Sequence, residues 1–173
     1  MSNEQADVNN SQISLTVNGQ NRAVLTAPDE TLLETLRNQL GFTSVRGTCQ
    51  IGVCGSCTVL VDGKTVSSCI MLTAQARGRG ITTSEGLCGA DGALSVVQEA
   101  FIRRGAYQCS FCIPAMTLAV HAAVNDDEAG QDRATVREQL AGNLCRCGTY
   151  PEILDAVSDL IPIPQNDTTE SSR

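Results

Sequence analysis

Three cysteines fall within nine residues in the stretch RGTCQIGVCGSCTVLVDG, residues 46–63, among four glycines and directly before a β-branched run. Thiols packed this densely at Cys49, Cys54 and Cys57 are bridged to one another, bound to a metal or reactive. A fourth, Cys69, completes a set spaced C-x4-C-x2-C-x11-C. Further along, Cys109, Cys112, Cys145 and Cys147 form a second set, spaced C-x2-C-x32-C-x-C, and Cys88 belongs to neither.

Composition explains why such a chain needs its cysteines. Only 3% of the 173 residues are aromatic and none is Trp. Large aromatic side chains normally supply much of a core's buried area, so two small domains built from this chain have thin cores and need a staple. The net charge of −7 argues against nucleic acid, which is bound by a basic footprint, and against an anionic membrane surface. The polar start MSNEQADVNNSQ has no apolar stretch and no cationic lead, so no secretion signal is expected. No apolar run approaches the ~20 residues that span a bilayer. The expected compartment is the cytoplasm, where thiols stay reduced and structural disulfides are rare. An odd count of nine cysteines also fits poorly with full pairing.

The hydrophobic pattern divides the chain. Residues 1–12 read as a disordered lead. Residues 13–17 alternate apolar and polar and run into Asn18-Gly19, a hairpin turn, with a return strand over 22–25. Thr31-x-x-Glu34 reads as a capping box opening a helix with Leu32, Leu33, Leu36 and Leu40 on one face and Gly41 as its stop. After the three cysteines, strands are expected at 58–61 and 64–67, joined by Asp62-Gly63, and a last strand near 81–83. This is a mixed domain over residues 13–90. Residues 91–161 carry helical signals and no strand. Helices are expected from about 93 to 104, after Pro114 through Ala123, from a capping box at Thr135-x-x-Glu138, and from another at Thr149-x-x-Glu152. Residues 125–131 read as an acidic loop, and residues 162–173 as a flexible tail.

The spacing of the first set is that of plant-type [2Fe–2S] ferredoxins. Three ligands on one loop must converge on a small cluster, so the backbone folds tightly. Gly47, Gly52 and Gly55 are expected to supply left-handed φ angles and room for N–H groups to approach sulfur. In the second set each cysteine pair lies just before an expected helix, whose N-terminus carries free N–H groups and partial positive charge. That spacing alone is shared with zinc sites and redox dithiols. Disulfides and paired zinc sites are the competing readings. A Rieske centre needs two histidines and the chain has one, His121, which reads as a helix-surface residue; Cys88 reads as a structural thiol. No catalytic triad, phosphate loop or carboxylate pair is evident, so two such centres on one chain read as an electron relay.

Taken together, GTCQIGVCGSCTVLVDG, QCSFCIPAM and REQLAGNLCRCGTYPEI resemble the small iron–sulfur subunit or domain of the xanthine oxidase family of molybdenum hydroxylases, over roughly residues 12–160. The resemblance implies an α+β architecture: an N-terminal β-grasp (plant-type ferredoxin-like) domain followed by a C-terminal four-helix bundle. It implies one [2Fe–2S] cluster on Cys49, Cys54, Cys57 and Cys69, toward a flavin subunit. It implies a second on Cys109, Cys112, Cys145 and Cys147, beside a molybdopterin, with Gln108 at a position that contacts the pterin. It also implies a large subunit carrying molybdopterin cytosine dinucleotide, a medium subunit carrying FAD, and a dimer of heterotrimers. The alternative is a free-standing [2Fe–2S] ferredoxin or iron–sulfur redox sensor. Four residues depart from the family pattern. Thr48, Ser110 and Ala115 stand where glycine is usual, and Gly148-Thr149 reverses the usual Thr-Gly.

Overall fold

The computed structural model describes residues 10–126 and 132–161. Five strands form one sheet: β1 (Ser11–Val17), β2 (Gln20–Thr26), β3 (Thr58–Val61), β4 (Lys64–Ser67) and β5 (Gly80–Thr82), in the order β2-β1-β5-β3-β4. The strands pair antiparallel except β1 with β5, which run parallel. Alternation along β1 sends Ile13, Leu15 and Val17 to one face. There they meet Leu32, Leu33 and Leu36 from the helix that follows β2. Burying each leucine is worth roughly 1.5–3 kcal/mol. This is the β-grasp expected from the resemblance, with β1 starting two residues earlier than its hydrophobic pattern; Ser11 and Gln12 pair with Thr26 and Leu25.

The helix over that sheet is not uniform. Thr31 and Glu34 form the expected capping box and open α1 (Leu32–Glu34). The next turn, Thr35–Gln39, is wider, with the Leu40 N–H reaching back five residues to the Thr35 carbonyl at 3.1 Å. Gly41 then takes φ +76°, and the Phe42 N–H bonds the Leu36 carbonyl at 2.9 Å, which closes the helix with a left-handed residue as glycine permits.

The second half contains α2 (Val96–Arg103), α3 (Ile113–Val124), α4 (Arg133–Gln139) and α5 (Tyr150–Ser158) around a separate core of Val97, Phe101, Met116, Val120, Val136, Ile153 and Val157. Two starts differ from the sequence expectation. Ser95, not residue 93, caps α2, in a capping box with Gln98. Asp132, not Thr135, caps α4, accepting from the Ala134 and Thr135 N–H groups. A carboxylate at an N-cap competes well with threonine. The expected loop at 125–131 and the tail at 162–173 lie largely outside the described residues, as do residues 1–9 of the lead.

α3 joins the two halves. It packs on β3 as well as on α2 and α4, and is buried on most of its circumference, from Ala115 through Val120. β3 is correspondingly buried at all four positions. His121 is therefore half-buried rather than on an open helix surface, and burial lowers its pKa. Cys88 is half-buried with its thiol 3.6 Å from the Gln98 carboxamide oxygen.

Candidate metal centres

The first cysteine loop is shaped by backbone geometry. Gln50, Gly52 and Gly55 all adopt positive φ, at 54°, 77° and 70°. Gly47 does not, contrary to the sequence expectation. Its need is space, since a Cβ there would sit 3.0 Å from Leu33 Cδ2. The resulting turn points N–H groups at one sulfur. Hydrogen bonds from the Ile51 N–H first, then from Cys54 and Val53, bring the pKa of the Cys49 thiol down to about 6. Cys69 arrives from beyond β4 and is pinned by its neighbour: the Ser68 hydroxyl donates to the Cys57 carbonyl at 2.7 Å. Burial, then the adjoining Cys57 thiol, push Cys69 up to about 11.

The second site is assembled by helices. Cys112 is the N-cap of α3, and Cys109 lies in the loop before it. Cys145 and Cys147 precede α5, in a loop fastened by Tyr150, whose hydroxyl accepts from the Cys145 N–H at 2.8 Å and donates to the Asn143 carbonyl at 3.0 Å. Each cysteine pair thus stands ahead of a helix, as expected. The thiols meet across the 32-residue gap: Cys109 is beside Cys147, and Cys112 beside Cys145. Burial pushes Cys112 up to about 12, with a further contribution from the Cys145 thiol. Burial also works against Cys145. The Thr149 hydroxyl, 3.1 Å from its sulfur, together with the Thr149 and Cys147 N–H groups, outweighs that and brings it to about 7. Cys109 is lowered, chiefly by the Phe111 N–H.

The departures from the family pattern acquire locations. Ser110 holds φ +60° between Cys109 and Cys112, a left-handed conformation costly for a residue with a Cβ. Gly148 takes φ +78°, which leaves Thr149 to face Cys145. Thr149 is the N-cap of α5 but makes no side-chain bond to it, so the expected Thr149/Glu152 capping box is absent; the hydroxyl is spent on sulfur. Thr48 lines the cleft described next. Ala115 is buried in the first turn of α3.

The two sites adjoin. A cleft of about 380 Å³ is lined by Cys54 of the first set and by Cys109, Cys112 and Cys145 of the second. The Leu144 N–H donates to the Cys54 carbonyl at 2.9 Å, and the buried Asn143 carboxamide donates to Gly55 O and Thr58 Oγ1 at 2.9 and 3.2 Å. Arg46 reaches the second loop, with Nη1 3.0 Å from the Phe111 carbonyl and the guanidinium 4.8 Å from that ring's centre. Arg46, Asn143, Thr149 and Tyr150 were not singled out as functional in the sequence. Asn143, Thr149 and Tyr150 sit inside the matched motifs and Arg46 directly before one; the contacts of Arg46 and Asn143 cross between the halves, and those of Thr149 and Tyr150 stay within their own loop. Gln108 is exposed, with its carboxamide 3.4 Å from the Cys147 carbonyl.

Among the described residues, no three Cys, His, Asp or Glu groups close on a single point as around one ion. The thiols stand instead in neighbouring pairs, Cys57 with Cys69 and Cys49 with Cys54, then Cys109 with Cys147 and Cys112 with Cys145. A [2Fe–2S] cluster takes four thiolates, two per iron. The donor chemistry, the paired placement and the Gly52 N–H directed at the Cys69 sulfur fit that group.

Comparison with known proteins decides the family. Residues 15–90 match the model of a 2Fe-2S iron-sulfur cluster binding domain, and residues 83–158 that of a [2Fe-2S] binding domain. The small subunit of nicotine 6-hydroxylase from Paenarthrobacter nicotinovorans is 43% identical over 86% of this chain and 88% of its own length. The xanthine dehydrogenase iron-sulfur-binding subunit of Escherichia coli is 43% identical over 85% and 92%. The chain belongs to the small iron–sulfur subunits of the xanthine oxidase family. The crystal structure of quinoline 2-oxidoreductase from Pseudomonas putida 86 superposes on this small subunit with a TM-score of 0.81 at 40% identity, covering 87% of this chain and 91% of that one. The small subunit serves an oxidoreductase without an active site of its own. Its relatives, being subunits of larger enzymes, do not favour a free-standing ferredoxin.

Proposed function

We propose that Cys49, Cys54, Cys57 and Cys69 hold one [2Fe–2S] cluster and that Cys109, Cys112, Cys145 and Cys147 hold the other. The small subunit then carries electrons from a molybdopterin cytosine dinucleotide on a large subunit to FAD on a medium subunit, in a dimer of heterotrimers in the cytoplasm. Bound clusters supply one-electron transfer; the protein supplies placement and tuning.

The observation that carries this reading is the hydrogen bond from Leu144 N–H to Cys54 O. It ties a cysteine of the first set to the residue beside Cys145 of the second, so that a short bonded connection joins the two sites. Arg46 and Asn143 hold that connection in register by bonding across the junction. Exposed apolar side chains surround both sites: Ile51, Val53 and Ile70 at the first, and Tyr107, Phe111 and Leu144 at the second. Apolar groups gathered on a surface mark contacts with partners. The first group faces the flavin subunit; the second, with Gln108, faces the molybdopterin subunit.

The test is purification from a cell making its natural partners. The expected result is copurification with a molybdenum-containing and a flavin-containing chain, and about four irons and four acid-labile sulfides per small subunit. A colourless zinc protein, or an iron protein that never associates with such chains, refutes the proposal.

A further inference from the structure

We propose that the Thr149 hydroxyl donates a hydrogen bond to the iron-bound sulfur of Cys145, and that this bond raises the reduction potential of the second centre. The inference rests on the assignment of Cys145 as a ligand, made above.

Three observations lead to it. Thr149 occupies the N-cap of α5, where a threonine ordinarily accepts a bond from the helix's first N–H groups; here the side chain makes none. Its hydroxyl instead lies 3.1 Å from Cys145 Sγ. The residue is 1% exposed, so water does not compete for its hydroxyl. An iron-bound thiolate carries no proton, so the direction of the bond follows: the hydroxyl donates and the sulfur accepts.

The consequence is electrostatic. One electron entering the centre turns one ferric iron ferrous and adds one negative charge, shared with the sulfurs, with no proton taken up. A bond donated to a charged acceptor is stronger than a neutral one, and it strengthens as negative charge on the acceptor grows. The hydroxyl therefore favours the reduced form. The first centre has a weaker counterpart, with Ser56 Oγ 3.6 Å from Cys54 Sγ. Thr149 stands where the resemblance puts glycine, the threonine there being one residue earlier. Thr149 is a positioning residue that acts through Cys145.

The experiment is a redox titration with dithionite, followed by electron paramagnetic resonance, on the full-length chain carrying its clusters. Wild type, Thr149→Val and Thr149→Ser are compared. Valine keeps the branched shape and loses the O–H; serine keeps it. In T149V one of the two signals is expected to titrate at a lower potential. At the wild-type midpoint its reduced-to-oxidised ratio falls about tenfold, equivalent to 59 mV for one electron. The other signal stays in place, and T149S returns the shifted one. Unchanged midpoints in T149V overturn the proposal, and so does an equal shift in both variants, which marks packing instead. If T149V loses the second signal while T149S keeps it, the hydroxyl is needed at that sulfur and the proposal stands; loss in both overturns it. A wild-type protein with one signal, or with far fewer than about four irons, refutes the ligand assignment rather than the role of Thr149.

Discussion

The two cysteine sites reach similar ends by opposite means. At the first, three thiols lie on one glycine-bearing loop and the fourth follows a single hairpin, with Cys57 and Cys69 buried in the sheet's own core. At the second, two pairs 33 residues apart in sequence meet because α3 and α5, the helices they precede, both pack on α2 and α4, and Cys109 and Cys147 remain exposed. Backbone N–H groups converge on Cys49, whereas at Cys145 a side-chain hydroxyl joins them. A site made by local chain geometry is strapped into its core. A site made by helix packing keeps Cys112 buried and Cys145 half-buried and leaves its other two thiols on the rim, and a hydroxyl four residues from Cys145 joins the backbone there.

The largest effects should come from removing a thiol, and they should differ between the sites. Cys147→Ala is expected to cut iron from about four to about two per chain, leaving one paramagnetic signal and a folded first domain by circular dichroism. Cys57→Ala is expected to lose the same amount of iron and also a core group that is 2% exposed, so its melting temperature should fall further. Equal melting temperatures would break the contrast.

Next comes the junction. A Cβ on Gly55 would collide with the Gly142 carbonyl and lie 2.9 Å from Asn143 Cα, on a residue at φ +70°. Gly55→Ala should cost about 3 kcal/mol in chemical denaturation, with the two halves unfolding in separate steps. Asn143→Ala leaves the junction's shape but removes two buried hydrogen bonds. About 2 kcal/mol is expected there, read by the same measurement. A loss no larger than that of an exposed substitution would show that the junction contributes little.

The smallest effect has the opposite sign. Ser110 holds a left-handed φ of 60°, so Ser110→Gly should stabilise by roughly 0.4–1 kcal/mol and raise the melting temperature of the holoprotein. A decrease would show that the Ser110 side chain does something its backbone strain does not reveal.

Much of this was legible in the residues. Alternation placed β1, and Asn18-Gly19 and Asp62-Gly63 placed the hairpins, because strand period and turn chemistry are local. The Thr31/Glu34 capping box formed because nothing competed for either side chain. The similar-looking pairs at 135/138 and 149/152 did not form caps, because a neighbour competed: Asp132, three residues ahead, took the helix end first, and Thr149 gave its hydroxyl to the sulfur four residues before it. Gly47 shows the same limit, since its missing Cβ answers to Leu33 rather than to its own φ.

By itself the sequence singled out eight thiols in two groups, whose ligand roles the resemblance implied, and a sheet half followed by a helical half. Spacing and periodicity are properties of neighbours along the chain. Only the tertiary structure decided that Leu144 meets Cys54, that Arg46 and Asn143 tie the halves together, and that Thr149 faces Cys145. Those contacts join residues far apart in the chain or turn a side chain from its local partner. The contacts between the halves form when α3 settles against β3 and brings the two face to face.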